Sequence, residues 1–390
     1  MSEREQRINT QPVLSETEKL EIKNTRKYMF DMLMVLVAPM GMSFYYYGMR
    51  AVLLVLYSVL TALACEFLAS RIYKFEASYS DLSSVVTAIT VAMCIPASSP
   101  WWVPILTTVF ALAVVKFPFG NSRSLMFLPS AAGIAFLTVC NSARMFSYPI
   151  IPTQSDKFAL LSSANAAQGN SLAYMLSQGN SIGINIISYI DIAVGNISGP
   201  MGATCAVAIL GGLLYLLIRR PKTAMMSFVY LGTCAVYAFL FPRITTGRGI
   251  SVIMELCSGL VGFGALMFVT NETLAPKRTN ARILYAALMG FITMILRTFG
   301  SFEDSTVFAV LIANSFAAAL DKKLPITKKE KLLIEQNREA AAMSVDRPVD
   351  TDEQSRIVAQ KVADIINSSE EEHGENENEN ENENGGASNV

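Results

Sequence analysis

Long apolar segments separated by short polar connections run through most of the chain. Each segment is long enough, or nearly so, to cross the hydrocarbon core of a bilayer, about 30 Å thick, as an α-helix. The pattern therefore predicts an all-α polytopic membrane protein with about ten transmembrane helices. The predicted segments are residues 29–48, 51–72, 83–98, 101–117, 124–141, 202–218, 224–241, 250–270, 282–298 and 304–320.

Two of these segments, residues 83–98 and 124–141, are unusually rich in small and hydroxylated side chains. Such side chains favour contact with protein or with a cofactor cavity over contact with lipid. Both segments are also suited to short, broken or tilted helices. We therefore expect them to line an internal cavity.

Lysine and arginine are unevenly distributed between the alternate ends of the predicted helices. If the N-terminus is cytoplasmic, most of them lie on the cytoplasmic side, as the positive-inside rule requires. Both termini are then cytoplasmic, in a cell inner membrane, and residues 142–201 form a long external loop. A long loop is usually functional, although a disordered external spacer is the alternative. The basic residues predicted on the external side are Arg50, Arg144, Lys157, Arg243, Arg248 and Arg297.

The composition supports lipid as the main solvent, because 52% of the 390 residues are hydrophobic and only 16% are charged. The net charge of −1 gives no electrostatic footprint for nucleic acid. We expect three regions: a polar cytoplasmic N-terminus over 1–28 without a signal peptide, a transmembrane domain over 29–321, and a cytoplasmic tail over 322–390 that is acidic and disordered at its end. With His373 as the only histidine, no metal centre is expected.

Ionisable residues within the apolar segments are candidates for function, because burying charge in a membrane is costly. Glu66 and Glu255 are the candidates for an ion pathway. Asp31, Asp81 and Lys116 lie at predicted helix ends, where capping or snorkelling towards the headgroups is the alternative explanation.

A glycine-rich run, residues 195–212, precedes and opens the sixth segment. Exposed N–H groups at a helix start suit a phosphate or another anion. Close packing of helices is the more frequent reason for glycine in such a position.

Several motifs together resemble the RnfD/NqrB family of membrane subunits. The first is YSDLSSVVTAITVAMCIPASSPWWVP, residues 79–104, followed by VVKFPFGNSRSLMFLPSAAG. Similar runs include GNISGPMGATCAVAILGGLLYLL and the region that ends at Asp321, so the resemblance covers about residues 29–322. It implies an RnfD-like membrane subunit of a flavin-dependent electron-transfer complex that couples redox chemistry to Na⁺ or H⁺ translocation. Its implied partners are other Rnf/Nqr-type membrane subunits and iron–sulfur subunits.

The resemblance also implies a flavin, with one FMN joined through its phosphate to a threonine on the long external loop. The matching position here is Asn165, whose amide cannot form that phosphoester. Thr204, Ser162 and Ser163 are alternative hydroxyl donors. Two further hypotheses are that FMN is held non-covalently and that flavin is missing from this chain.

The family motifs further imply polar residues that line flavin or ion sites, in three parts of the chain. These residues are Asp81, Ser83, Thr87, Lys116, Asn121, Thr270 and Asn271. The competing hypothesis is a transporter or an assembly scaffold that keeps the fold but has lost covalent FMN and redox activity. Transporters place substrates at broken helices, and the short third and fifth segments fit that description.

Overall fold

The protein is described by a computed structural model that covers residues 16–73, 82–119, 125–151, 168–178, 189–244, 247–300 and 302–323. These residues are mostly helical, as the apolar pattern predicts. The helices are α1 (Glu16–Tyr47), α2 (Met49–Tyr73), α3 (Ser83–Cys94), α4 (Trp102–Val109, continued by a π-helix over Phe110–Lys116), α5 (Pro129–Cys140), α6 (Ser142–Met145), α7 (Leu172–Ser177), α8 (Tyr189–Val194), α9 (Ala206–Arg219), α10 (Pro221–Leu240), α11 (Arg248–Leu256), α12 (Val261–Met267), α13 (Thr279–Phe299) and α14 (Thr306–Lys323). Two short strands, β1 (Tyr148–Pro149) and β2 (Gln168–Gly169), pair antiparallel.

Every predicted apolar segment contains a helix, and the class of a polytopic, mostly helical membrane protein is confirmed. Within the described ranges, four helices are long and apolar enough to span a membrane, and the bent pair α11–α12 is a fifth if it counts as one span. The shorter apolar helices are α3, α4 with its π-helical extension, α5, α9 and α14. Ten complete crossings therefore stay a prediction.

The eighth apolar segment, predicted as one helix over 250–270, is broken. Helix α11 ends at Leu256, α12 begins at Val261, and their axes differ by 53°. Gly259 in the break has φ +57°, a left-handed conformation that only glycine adopts at little cost. Two charged side chains satisfy the backbone there: Arg297 donates to the Ser258 carbonyl at 3.1 Å, and the Leu260 N–H donates to Asp304. Irregular backbone at membrane depth requires such internal partners.

Helix α3 lies at the centre of the bundle, packed against α1, α2 and α5, with most of its residues buried. The loop before α9 covers its C-terminal end: the Gly202 N–H donates to the Met93 carbonyl at 2.7 Å and the Met201 N–H to the Ile95 carbonyl at 3.3 Å. A Cβ on Gly202 would lie 2.6 Å from the Met93 Cβ. Close packing therefore explains this glycine of the run 195–212.

The first half of α1 and the end of α14 meet the same connection, residues 270–278. The Tyr28 hydroxyl donates to the Thr270 carbonyl at 2.9 Å, and Asp321 accepts from the Lys277 N–H at 2.9 Å. We call this end of the bundle, which also carries Arg219 and Arg220, the basic end. An even number of crossings is consistent with this arrangement. Its assignment to the cytoplasm stays a prediction, and the tail beyond residue 323 lies outside the described residues.

Candidate functional site

A cavity of about 540 Å³ opens at the basic end, between the first half of α1 and the end of α9. Arg220 lies at its centre and joins two carboxylates: its Nε is 2.8 Å from Asp31 and its Nη1 is 3.2 Å from Glu272. Its guanidinium also lies over the Tyr28 ring, 5.1 Å from the centroid. Asp31 is only 2% exposed, so this carboxylate is held by ion pairs. Snorkelling to the headgroups does not explain it.

Two predicted cofactor residues lie directly beside this cluster. Thr270 is fully buried, and its hydroxyl donates to the Leu266 carbonyl at 2.7 Å. Its own carbonyl is the acceptor for Tyr28, which lines the cavity. Asn271 is half-buried and accepts from the Thr273 N–H at 3.1 Å, which shapes the turn after α12. The structure thus brings Thr270 and Asn271 next to a polar cavity that the sequence did not indicate.

A second group of predicted residues joins the start of α3 to the end of the π-helix. Lys116 is 2% exposed, and its ammonium donates to the Ser84 hydroxyl at 2.7 Å. Ser83 is buried, and its carbonyl accepts from the Thr87 hydroxyl at 2.9 Å. The Lys116 side chain points into protein and not towards the headgroups, so the structure gives no support to snorkelling. The wider turns of a π-helix occur frequently at functional sites.

Five of the predicted site residues lie outside the described residues, so their surroundings stay untested. They are Asp81, Asn121, Ser162, Ser163 and Asn165.

Thr204 lies at the opposite end of the bundle in a closely packed region. It is 4% exposed, and the cavity beside it has a volume of only about 10 Å³. Tyr148 and Ser171 line the same cavity, and the Ser171 hydroxyl donates to Glu303 at 2.7 Å. Burial, with a smaller contribution from the neighbouring Asp304, raises the pKa of Glu303 above its ordinary value, and the Ser171 hydrogen bond opposes this. A flavin does not fit beside Thr204 in this arrangement.

Glu255, an ion-pathway candidate, is the centre of a buried ion-pair network at the break between α11 and α12. Arg243 contacts both of its carboxylate oxygens, at 2.5 and 2.8 Å. Arg297, whose side chain has 0% exposure, approaches to 3.8 Å. The other candidate, Glu66, is half-buried on α2 and has an interaction partner. The two candidates therefore lie on different elements and in different surroundings.

Arginines organise both ends of the bundle, and these roles were not predicted from the sequence. Arg243 and Arg297 were predicted only as basic residues on the external side, and no role was predicted for Arg219 or Arg220. The available signal for Arg220 was its place in Arg-Arg-Pro, directly after an apolar helix, where cations favour the helix C-terminus. Arg243 and Arg297 had no local sequence signal. Their shared partner is Glu255, which is distant from Arg297 in the sequence.

Comparison with known proteins places the chain in a family. The model of the NQR2, RnfD, RnfE family matches residues 16–328. The chain is similar to the D subunit of the Na(+)-translocating ferredoxin:NAD(+) oxidoreductase complex of Acetobacterium woodii, with 28% identity over 75% of this chain and 86% of the relative. It is also similar to the D subunit of the ion-translocating oxidoreductase complex of Actinobacillus pleuropneumoniae, with 25% identity over 76% of this chain and 92% of the relative, and to that of Klebsiella pneumoniae, with 26% identity over 77% and 93%. The chain belongs to the NQR2, RnfD, RnfE family.

Proposed function

We propose that this chain is the RnfD-type membrane subunit of a complex that couples electron transfer to the translocation of Na⁺ or H⁺. The family match over residues 16–328 carries this proposal, and the relatives named above are the D subunits of such complexes. The bundle supplies the membrane-embedded scaffold that the role requires. The protein acts with other Rnf/Nqr-type membrane subunits and with iron–sulfur subunits, in the inner membrane, with both termini cytoplasmic.

The proposed cofactor is a flavin, FMN or a relative of it, held without a covalent link. The sequence supports this because Asn165 stands where the family carries its threonine. The structure supports it because Thr204 is buried beside a cavity of only about 10 Å³. Ser162 and Ser163 are the remaining hydroxyl candidates for attachment.

The residues proposed to hold this flavin belong to the two polar groups described above. One group is Lys116 with Ser83 and Thr87, and the other is Thr270 with Asn271. Hydroxyl, amide and ammonium groups are suitable partners for the carbonyl and nitrogen atoms of a flavin ring. The buried ammonium of Lys116 favours an electron-rich, reduced ring, because opposite charges attract more strongly away from water.

Flavin content tests this proposal directly. The complex is purified, its flavin is measured as an acid-extractable and a covalent fraction, and a denaturing gel is inspected for flavin fluorescence. We expect extractable flavin and no fluorescent band from this chain. Lys116→Met is expected to lose most of the extractable flavin attributable to this chain, whereas Arg71→Met, at the exposed end of α2, retains it.

The opposite results have defined meanings. A fluorescent band that Thr204→Ala keeps and Ser163→Ala removes would establish covalent attachment at Ser163 and contradict the non-covalent proposal. A complex in which this chain contributes no flavin at all would favour the second candidate function, a transporter or assembly scaffold. The broken span α11–α12 favours that candidate, since broken helices bind solutes in transporters.

A further inference from the structure

Among the side chains that the structure describes, those lining the cavity at the basic end have an excess of positive charge. Three are cationic, Lys27, Arg219 and Arg220, and two are carboxylates, Asp31 and Glu272. Arg220 is committed to both carboxylates, at 2.8 Å and 3.2 Å. The floor of the cavity is therefore electrically balanced, and the excess charge lies at its mouth.

Two side chains carry that excess. Arg219 is 49% exposed and touches Asp31 only at 3.4 Å, a long and weak contact. Lys27 is exposed, and the described residues provide it with no ion pair. An exposed guanidinium and an ammonium at one rim form a favourable site for a phosphate oxygen.

The helices on both sides of this rim present apolar side chains to the outside. On α1, Phe30 and Met34 are 50% and 45% exposed, and they follow Lys27 at helical spacings of three and seven residues. On α9, Leu214 and Ile218 are 58% and 83% exposed and precede Arg219. A phosphate bound at the rim would thus have long apolar surfaces beside it, where acyl chains pack.

We propose that this cavity binds the phosphodiester headgroup of an anionic phospholipid, such as phosphatidylglycerol, through Lys27 and Arg219. The single negative charge of the headgroup balances the excess of one positive charge among the described lining side chains. The headgroup hydroxyls reach the polar interior of the cavity, and the acyl chains lie along α1 and α9. Basic pockets between membrane helices recognise anionic lipids by this chemistry.

The experiment uses the full chain purified in mild detergent and stripped of lipid. Binding of short-chain phosphatidylglycerol is measured by native mass spectrometry and by the rise of the thermal unfolding midpoint. Phosphatidylcholine of the same chain length and inorganic phosphate serve as two further ligands. The test variant is Lys27→Gln/Arg219→Gln, which changes exposed side chains and leaves Arg220 in place. The matched control is Arg71→Gln/Arg248→Gln, which removes two exposed charges elsewhere.

We expect phosphatidylglycerol to bind and stabilise the wild-type and control proteins more than phosphatidylcholine does. The test variant is expected to bind it roughly 10- to 30-fold more weakly, because each basic residue near a membrane surface contributes about a fivefold preference for anionic lipid. The proposal is overturned if the two lipids bind and stabilise the wild-type protein equally. It is also overturned if the control variant loses as much phosphatidylglycerol binding as the test variant. Stabilisation by inorganic phosphate without stabilisation by the lipid overturns the lipid as the source of the phosphate. None of these readouts depends on flavin.

Discussion

Replacing Glu255 by glutamine tests whether the ion-pair network at the broken span holds the bundle together. The substitution keeps the size of the side chain and removes its charge. Arg243 then loses a partner that it contacts at 2.5 and 2.8 Å, and Arg297 loses a carboxylate 3.8 Å away. Two arginine charges remain, with side-chain exposures of 13% and 0%.

The expected cost follows from this burial. Removing one partner of a buried ion pair costs about 3–5 kcal/mol, because the other charge stays away from water. Because Arg243 is slightly exposed and relaxes towards solvent, the loss of unfolding free energy for Glu255→Gln is expected near the lower limit of this range, about 3 kcal/mol. The matched control is Glu272→Gln at the basic end, because Glu272 is 31% exposed and shares Arg220 with Asp31. Its cost is expected below about 1 kcal/mol, as for exposed pairs.

Thiol reactivity provides the assay. Cys94 and Cys234 are fully buried, so a thiol-reactive fluorophore labels them only when the bundle opens. Midpoints of denaturation are compared for Glu255→Gln, Glu272→Gln, Arg243→Gln and the double variant Glu255→Gln/Arg243→Gln. The double variant is expected to lose less unfolding free energy than the sum of the losses of the two single variants. Additive losses, or equal losses for Glu255→Gln and Glu272→Gln, would refute the reasoning.

Two further predictions concern the same end of the bundle. Gly259→Ala is expected to destabilise the protein by more than the roughly 1–2 kcal/mol that a left-handed backbone costs, since the added Cβ also meets the Asp304 carboxylate. Gly249→Ala, with open space around it, is the control in the same denaturation assay. Equal losses of unfolding free energy for the two variants would contradict this prediction. Because the folded pKa of Glu303 is raised, its charge costs stability. This cost is complete above the folded pKa, shrinks as pH falls through the folded pKa, and is gone below the unfolded pKa. Glu303→Gln, which can still accept from Ser171, is therefore expected to raise the unfolding midpoint at neutral pH, with a gain that shrinks on acidification; a gain independent of pH would count against this explanation.

The apolar pattern was sufficient to place a helix in each predicted membrane segment, because lipid imposes the same demand on every span. The short helices α6, α7 and α8 lie in the predicted loop 142–201 and were not predicted. Each predicted segment contains a helix, and the predicted start and end of the ninth segment, 282–298, lie within three residues of the bounds of α13. The break at Gly259 was not predictable from hydropathy, since the residues on both sides are apolar. What creates it is a backbone conformation with φ +57° and two distant charges, Arg297 and Asp304, that satisfy the freed peptide groups.

The candidate sites were predictable only in part for a similar reason. Family motifs identified Lys116 and Thr270, and the structure places both in buried polar surroundings, Lys116 beside Ser84 and Thr270 beside Tyr28. The cavity beside Thr270 depends on Asp31 and Arg220, which are far apart in the sequence and meet only when α1 packs against α9. The pattern of apolar and polar residues along the sequence does not reveal which distant residues pair.

The buried carboxylates Glu255 and Asp31 are ion-paired with arginines, and this limits their ability to bind a translocated ion. A carboxylate buried in a membrane is a functional candidate by default. Glu255, however, is held by Arg243 and approached by Arg297, and Asp31 is held by Arg220 with Arg219 beside it. For either carboxylate to take up Na⁺ or H⁺, a guanidinium must first move away, which costs the energy of a buried ion pair. Glu255 therefore stays a pathway candidate only together with a movement of the α10–α11 connection that carries Arg243, and unchanged ion pumping by Glu255→Gln in the assembled complex would remove it from the pathway.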